Sequence, residues 1–456
     1  MKSGWLRYLA GGLALAAAFA AAQAETLSLN QALALAYETN PQLAGARAGV
    51  RAVDEGVAQA NSAWRPSVNA TGSYGVQNGV VHGFASAFNS HPLIGSVSVT
   101  EQIFRGGRTY AEVGRAIALV HSARAELADT ERGVLLDAVG AYLDVVRDDR
   151  ILALNQENER TLQAELDAAR TQHGAGAVTR TDVDQAQARL ARAQSDLATA
   201  QRQLIASREA FDAVIGRPAG TLDQQPPLPP MPASLDAARG IGASRSPKIV
   251  QAQADWRAAD YAVDDALGAL LPQLSISGQY QYLRDAAGTN VFATKQPQTI
   301  MSITGQVTVP IYQGGGEEAT IRRAKELRGQ SQLAIATAQR AVWQDVGNAW
   351  QGYVSARLQI VANDQQVASD QSALDGVKQE QQAGERSILD ILNAQQELYS
   401  AQIAAVTARH DATVAAYRVL WATGQLDAKT LALPVTYYDP VEHYDEDAGA
   451  WFGLGE

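Results

Sequence analysis

Two periodicities of apolar and polar positions run along this chain, and each occurs in two places. The shorter has period two, the repeat of a strand whose faces differ. From Pro66 to Val76, Val68, Ala70, Tyr74 and Val76 fall on one face and Ser67, Asn69, Thr71 and Ser73 on the other. Pro272 to Leu283 repeats the alternation, setting Leu274, Ile276, Tyr280 and Tyr282 against Ser275, Ser277, Gln279 and Gln281. The returning strands set Val97, Val99 and Ile103 against Ser96, Ser98 and Thr100, and Met301, Ile303, Val307 and Val309 against Ser302, Thr304, Gln306 and Thr308. Segments of about ten residues with one apolar and one uncharged polar face carry the signature of an outer-membrane barrel. A half-buried soluble sheet satisfies the same pattern. The stretches Gln77 to Pro92 and Arg284 to Gln298 read as loops joining the strands.

The longer periodicity has period seven. Val183, Leu190, Leu197, Leu204 and Phe211 are followed, three residues on, by Ala186, Ala193, Ala200, Ser207 and Val214. In the second place Ile391, Leu398, Ala405, Ala412 and Val419 are followed by Ala394, Ala401, Ala408, Ala415 and Ala422. This is a coiled-coil seam whose small second position permits close helix approach. No proline occurs from Gly107 to Arg217 or from Ile311 to Leu433. Two long stretches therefore lack the strongest helix breaker and read as helical hairpins. The first long arm, about Arg108 to Gln172, would reach roughly 100 Å at 1.5 Å per residue. Shorter helices, about Leu29 to Trp64 and about Thr181 to Ile215, are each near half that length and together could lie beside the arm.

These patterns belong to one unit written twice. Asn40-Pro41-Gln42-Leu43 answers to Ser246-Pro247-Lys248-Ile249, Phe104-Arg105-Gly106-Gly107 to Tyr312-Gln313-Gly314-Gly315, Gly176 to Gly384, Asp182 to Asp390 and Gly216 to Gly424, at an offset of 206 to 208 residues. Each copy orders helix, strand, loop, strand, very long helix, turn, helix. The expected organisation is a signal peptide at 1–24, a first repeat at 25–216, a linker at 217–236 with six of the fifteen prolines, a second repeat at 237–433 and an acidic tail at 434–456. That tail is expected to be a solvated, partly disordered segment.

The ends and composition narrow the class. Lys2, Arg7, the apolar run Leu9 to Ala22 and the sequence Ala22-Gln23-Ala24 have the form of a cleaved export signal. No later segment is apolar enough for a spanning helix, and the absence of cysteine removes disulfides, thiolate metal sites and a lipid-bearing cysteine. The 37 basic and 48 acidic side chains give −11, the wrong sign for a nucleic-acid surface. The six histidines lack metal-ligand spacing, no serine sits in a nucleophile elbow, and Gly314-Gly315-Gly316 has no lysine-threonine continuation. The chain is expected to be no enzyme and to need no cofactor or metal.

Four strands cannot close a barrel alone, because an open edge in hydrocarbon leaves backbone groups unpaired. Partner chains are therefore required, though the strands alone do not choose their number. Three chains would give twelve strands, within the range of known barrels. The rival is an exported trimeric coiled-coil structural or adhesive protein, which leaves the alternating strands unexplained.

The duplicated plan, with two motif pairs, resembles the TolC family of outer-membrane efflux and secretion proteins, in its unlipidated branch. The pairs are the strand-to-helix turns, IFRGGR at Ile103 to Arg108 and PIYQGGG at Pro310 to Gly316, and the coil tips, GAGAVTRTDVDQAQARL from Gly174 and AGERSILDILNAQQEL from Ala383. The resemblance implies an α+β membrane protein: a homotrimer with a twelve-strand β-barrel in outer-membrane lipid of a Gram-negative bacterium, continued by an α-helical tunnel in the periplasm. It also implies a periplasmic adaptor and an inner-membrane transporter as partners, and export of small toxic compounds or of proteins.

The candidate site residues lie at the turns and the tips. Gly106, Gly107, Gly314 and Gly315 mark the strand-to-helix turns. At the tips, Ser387 with Asp390 and Thr179 with Asp182 have capping-box spacing. By the resemblance Asp390 also faces a periplasmic aperture, and Arg386 reaches Asp182 of an adjoining chain to hold the gate shut. Asn393 stands where the family can carry a second aspartate ring, and Gln381 where it can carry a latching tyrosine.

Overall fold

The computed structural model describes residues 26–81, 86–285, 296–449, 451 and 453. The expected signal peptide at 1–24 lies outside them. In the first copy, helices α1 (Leu29–Thr39) and α2 (Pro41–Asn61) and a 3₁₀ turn (Ser62–Trp64) lead into β1 (Ser67–Tyr74), β2 (Gln77–Val81), β3 (Ser86–Ser90) and β4 (Leu93–Arg105). The long helix α3 (Arg108–Gly174) and its return α4 (Arg180–Ile215) complete the copy. The second copy has α5 (Leu235–Arg245), α6 (Pro247–Gly268), β5 (Gln273–Arg284), β6 (Gln298–Thr308), α7 (Gly316–Gln382) and α8 (Ile388–Thr423), and a short helix α9 (Glu442–Asp447) follows. The two long helices are each 67 residues and the two return helices each 36.

Three expectations need correction. The helix expected from Leu29 to Trp64 is broken at Asn40. Pro41 cannot donate a backbone hydrogen bond and pushes the preceding residue into extended backbone, and Asn40 sits at φ −67°, ψ 122°. Its side chain accepts from the Gln42 amide at 2.9 Å and donates to the Val214 carbonyl at 3.0 Å, so the break is also a tie to α4. Ser246 before Pro247 repeats the break at φ −64°, ψ 120°. Secondly, the loop expected from Gln77 to Pro92 contains the β2–β3 hairpin, paired from Gln77↔Ser90 to Val81↔Ser86. The loop expected from Arg284 to Gln298 falls mostly outside the described residues.

The third correction concerns the acidic tail, whose described residues dock on the first copy, although Asp439, Glu442, Asp445 and Glu446 stay exposed to solvent as expected. His443 Nδ1 lies 3.8 Å from Asp54, the Ala448 carbonyl accepts from Asn61 at 3.1 Å, and the Tyr444 ring faces the Arg124 guanidinium at 5.3 Å. No periodicity announces it, because its partners lie nearly four hundred residues away in sequence.

The chain forms two compact units. One comprises residues 1–46, 127–247 and 339–438. Its core holds Leu33, Leu135, Tyr142, Phe211, Ile215, Leu420 and Leu426, all essentially inaccessible. Tyr142 is the hub: its hydroxyl donates to the Leu27 carbonyl at 2.8 Å and lies 3.1 Å from that of Asp223, while its ring meets Phe211 at 6.4 Å between centroids. Leu27 also pairs with the linker, donating to Thr221 at 2.9 Å and accepting from Asp223 at 3.1 Å. Burial pushes the Tyr142 phenol up to about 12, so it stays a hydroxyl and keeps its donor role at any ordinary pH. The other unit comprises residues 47–126, 248–338 and 439–456 and contains the sheet.

Candidate functional site

The sheet shows why its strands have the sequences they do. Four antiparallel strands run in the order β1-β4-β5-β6. The registers Val68↔Val99, Ala70↔Val97, Val97↔Tyr280 and Tyr280↔Met301 gather the apolar residues on one face. The registers Asn69↔Ser98, Thr71↔Ser96, Ser98↔Gln279 and Gln279↔Ser302 gather neutral polar side chains on the other. The apolar face is uncovered: Met301, Ile303 and Val307 are 77%, 75% and 65% exposed. An uncovered apolar surface of this kind marks an interface with something apolar. The register slips between Gln102 and Phe104, so Ile103 is the extra residue of a bulge rather than a member of the alternation. Among the described residues, β1 and β6 end the sheet with no further strand.

The four predicted turn glycines stand at the helix ends of this sheet. Gly106, Gly107, Gly314 and Gly315 adopt φ of 66°, 81°, 68° and 83°, where a side chain is strained. At Gly106 space forbids one as well, since a Cβ would lie 2.3 Å from the Gly268 carbonyl oxygen. Paired charges brace the first turn: Arg105 donates twice to Glu112, at 2.6 and 3.0 Å, and Arg108 donates to Asp265 at 2.9 Å.

The tips lie in the first unit. Each long helix stops on a left-handed glycine, Gly176 at φ 76° and Gly384 at φ 81°. At the first, the amides of Ala177 and Gly176 return to the carbonyls of Gln172 and His173; at the second, those of Glu385 and Gly384 return to Glu380 and Gln381. Both are Schellman closures, and Gln381 serves one of them through its backbone. Each return helix then opens with a capping box. Thr179 Oγ1 accepts from the Asp182 amide at 3.3 Å, while the Asp182 carboxylate takes the Thr179 amide at 2.9 Å and hydroxyl at 2.7 Å. Ser387 and Asp390 repeat this at 3.3, 3.0 and 2.8 Å. These hydrogen bonds hold both carboxyls below the usual carboxylate range, so both carry full negative charge at neutral pH.

Capping occupies one side of each aspartate. Arg386 pairs with Glu380 of its own chain at 2.8 Å, a partner that sequence spacing did not single out. Asn393 accepts from Arg189 at 2.9 Å, which ties α8 to α4. A second missed tie runs from the Tyr399 hydroxyl to Asn155 at 2.8 Å. Beneath these polar links, Leu162, Leu166, Ala169, Ala186, Leu190 and Ala193 of the first hairpin pack with Ile388 and Leu392 of the second return helix. Burying a leucine-sized side chain fully is worth about 1.5–3 kcal/mol, so the apolar seam rather than the exposed charges fixes the first hairpin to α8.

Comparison with known proteins agrees with this architecture. The family described as "Outer membrane efflux protein" matches residues 29–217 and 243–425. The outer membrane efflux protein BepC of Brucella suis biovar 1 (strain 1330) is 36% identical over 434 residues, covering 95% of this chain and 93% of the relative. The outer membrane protein TolC of Escherichia coli (strain K12) is 24% identical over 437 residues, covering 92% and 86%. In fold, the Campylobacter jejuni CmeC outer membrane channel superposes with a TM-score of 0.78 at 16% identity, over 92% of this chain and 89% of that one. With a sheet of barrel strands, helical hairpins closed at matching glycines and a relative alike along nearly its whole length, this chain belongs to the outer membrane efflux protein family.

Proposed function

We propose that three copies of this chain form an export duct in the outer membrane of a Gram-negative bacterium, with the helical hairpins extending into the periplasm. One observation carries this reading: a four-stranded sheet with an uncovered apolar face, a neutral polar face and two open edges. Such a sheet is stable in hydrocarbon only when β6 of one copy pairs with β1 of the next and the ring closes. Three copies of the four-stranded sheet give twelve strands, enough for a water-filled lumen lined by serine, threonine and glutamine. The duct works with a periplasmic adaptor and an inner-membrane transporter, which supplies the energy. Its task is passage of small toxic compounds or proteins, not catalysis.

The aperture lies at the coil tips. Repeated around a threefold axis, Asp390 forms a ring of three carboxylates that attracts cations. Arg386 holds the tip shut, shared between Glu380 in its own chain and Asp182 of the neighbouring copy. Asn393 and Gln381, where the family can carry an aspartate and a tyrosine, leave this entrance less acidic and less tightly latched.

Planar-bilayer recording tests the duct and the aperture together. The parent protein should conduct with cation preference, Asp390→Ala should lose much of that preference and its block by multivalent cations, and Arg386→Ser should raise single-channel conductance. A parent that never conducts would remove the duct. A conducting parent matched by both variants in conductance and selectivity would leave the duct and remove the aperture assignment.

A further inference from the structure

The segment after Tyr438 has no counterpart in the duplicated plan, and its contacts run in a telling order. His443 lies against Asp54 and Glu55 at 3.8 and 3.9 Å, the Ala448 carbonyl takes the Asn61 amide group at 3.1 Å, and the Gly449 carbonyl takes the Arg65 guanidinium at 3.1 Å. The Trp451 ring then lies 4.6 Å from the Arg65 guanidinium carbon. Partners on the first copy thus rise from 54 to 65 as the segment rises from 443 to 451, so it runs parallel to α2 and arrives at Arg65, two residues before β1 begins. Its lower end sits on a polar cluster, the buried Asp54 with Arg124 at 3.6 Å and His443 at 3.8 Å. Its upper end is open: Trp451 and Trp64 are 63% and 53% exposed.

We propose that this segment is a strap that delivers Trp451 to the lipid–water boundary at the periplasmic end of the sheet, where it and Trp64 contact the headgroup region of the phospholipid leaflet. An indole has a large apolar face and one N–H donor, and such amphipathic rings concentrate at membrane boundaries. The position matches: the first apolar residue of the lipid-facing sheet surface, Val68, comes three residues after Arg65 and is 64% exposed. The Arg65 guanidinium beneath the ring holds it in place by a cation–π contact. The inference rests on reading the sheet as membrane-spanning.

The natural chain contains no cysteine, so single labels are clean. Trp451→Cys and, separately, Ile303→Cys are labelled with a nitroxide and reconstituted into phosphatidylethanolamine–phosphatidylglycerol vesicles. Collision with oxygen and with a water-soluble nickel chelate then gives the depth of each label. The label at 303 should be deep in lipid. The label at 451 should show boundary depth, with nickel collisions several-fold below those of a label on the exposed Asp236. Adding Asn61→Ala and Arg65→Ala should return the label at 451 to water. A label at 303 in lipid with one at 451 in water overturns the strap and leaves the barrel standing, as does a boundary label at 451 that ignores Asn61→Ala and Arg65→Ala. Labels in water at both positions overturn the barrel reading and the strap with it.

Discussion

The long helices α3 and α7 occupy the same place in the two copies and have the same length, yet they are used differently. Along α3, Val134, Leu135, Ala138, Val139, Tyr142 and Val145 are buried within the chain. Along α7, Leu333, Leu358 and Val361 are 71%, 67% and 70% exposed in the single protomer. Val354, Leu358 and Val361 fall at i, i+4 and i+7, one stripe of the helix. One sequence unit, duplicated, is thus used in two ways: both copies supply core, α7 through Val342, Val346 and Ala349, but only α7 also keeps this exposed apolar stripe, which suits a neighbouring chain of the trimer. Equal length, 67 residues each, lets the two copies alternate around a ring.

Substitutions on the two helices should therefore fail in different ways. The largest effect is expected at Tyr142, where alanine removes a buried ring and both of its ties to the Leu27 and linker backbone. Truncations of this kind cost about 3–5 kcal/mol, so urea unfolding should show Tyr142→Ala strongly destabilised, with little assembled protein recovered. A cost below about 1 kcal/mol would show that Tyr142 is not a hub of the core. The pair Leu358→Asp and Val361→Asp should leave the unfolding midpoint of the dispersed protomer nearly unchanged and lower the trimer fraction by mass measurement in detergent. Trimers at the parental level would mean that the exposed stripe of α7 is not an assembly surface.

The smallest effect is expected where the copies touch. His410 of α8 meets Asp144 of α3 at 3.0 Å and Asp411 at 2.8 Å. Burial opposes a charge on the ring, but the contacts with Asp144 and Asp411 outweigh it and raise the imidazole above its ordinary 6.5. Asp144 is only partly buried; desolvation pushes it up, but His410 and Arg147 outweigh this and hold it below its ordinary 3.8. A raised histidine stabilises fully below 6.5 and fades as pH rises through the raised value; a lowered aspartate stabilises above 3.8 and fades as pH falls through the lowered value. The clasp is thus complete between these limits. Thermal unfolding of the parent and His410→Gln should differ most between about pH 4 and 6.5 and converge in alkali. A difference that grew above pH 9 would contradict the assignment.

What the sequence disclosed followed from local rules. Alternation at Pro66 to Val76 and the spacing of Thr179 with Asp182 and Ser387 with Asp390 are short-range signals, and strand faces and capping boxes appear where they indicate. The heptads were legible for the same reason: Ala186, Leu190, Ala193, Ala200, Leu204, Ser207 and Phe211 are all buried on α4. The second return helix buries a wider face, adding Ile388, Leu392, Tyr399 and Tyr417, because it packs against the first hairpin as well as its own arm. That extra contact is tertiary and leaves no period. Arg189 with Asn393, Tyr399 with Asn155 and His443 with Asp54 were invisible likewise, each joining residues more than two hundred positions apart. The break at Asn40 follows locally from Pro41, and the helix resumes at once beyond it.

The open edges of the sheet also have a consequence for how the protein is made. Because β1 and β6 find no partner among the described residues, closing the ring is a reaction between molecules, and its rate depends on protomer concentration, unlike that of a single-chain barrel. A newly exported copy therefore spends a waiting time, longer when synthesis is slow, with two strand edges and an apolar face accessible to periplasmic chaperones, to proteases and to misplaced pairing with its own kind. Expression level should thus govern yield and quality together, since slow synthesis lengthens the time each copy waits for two more.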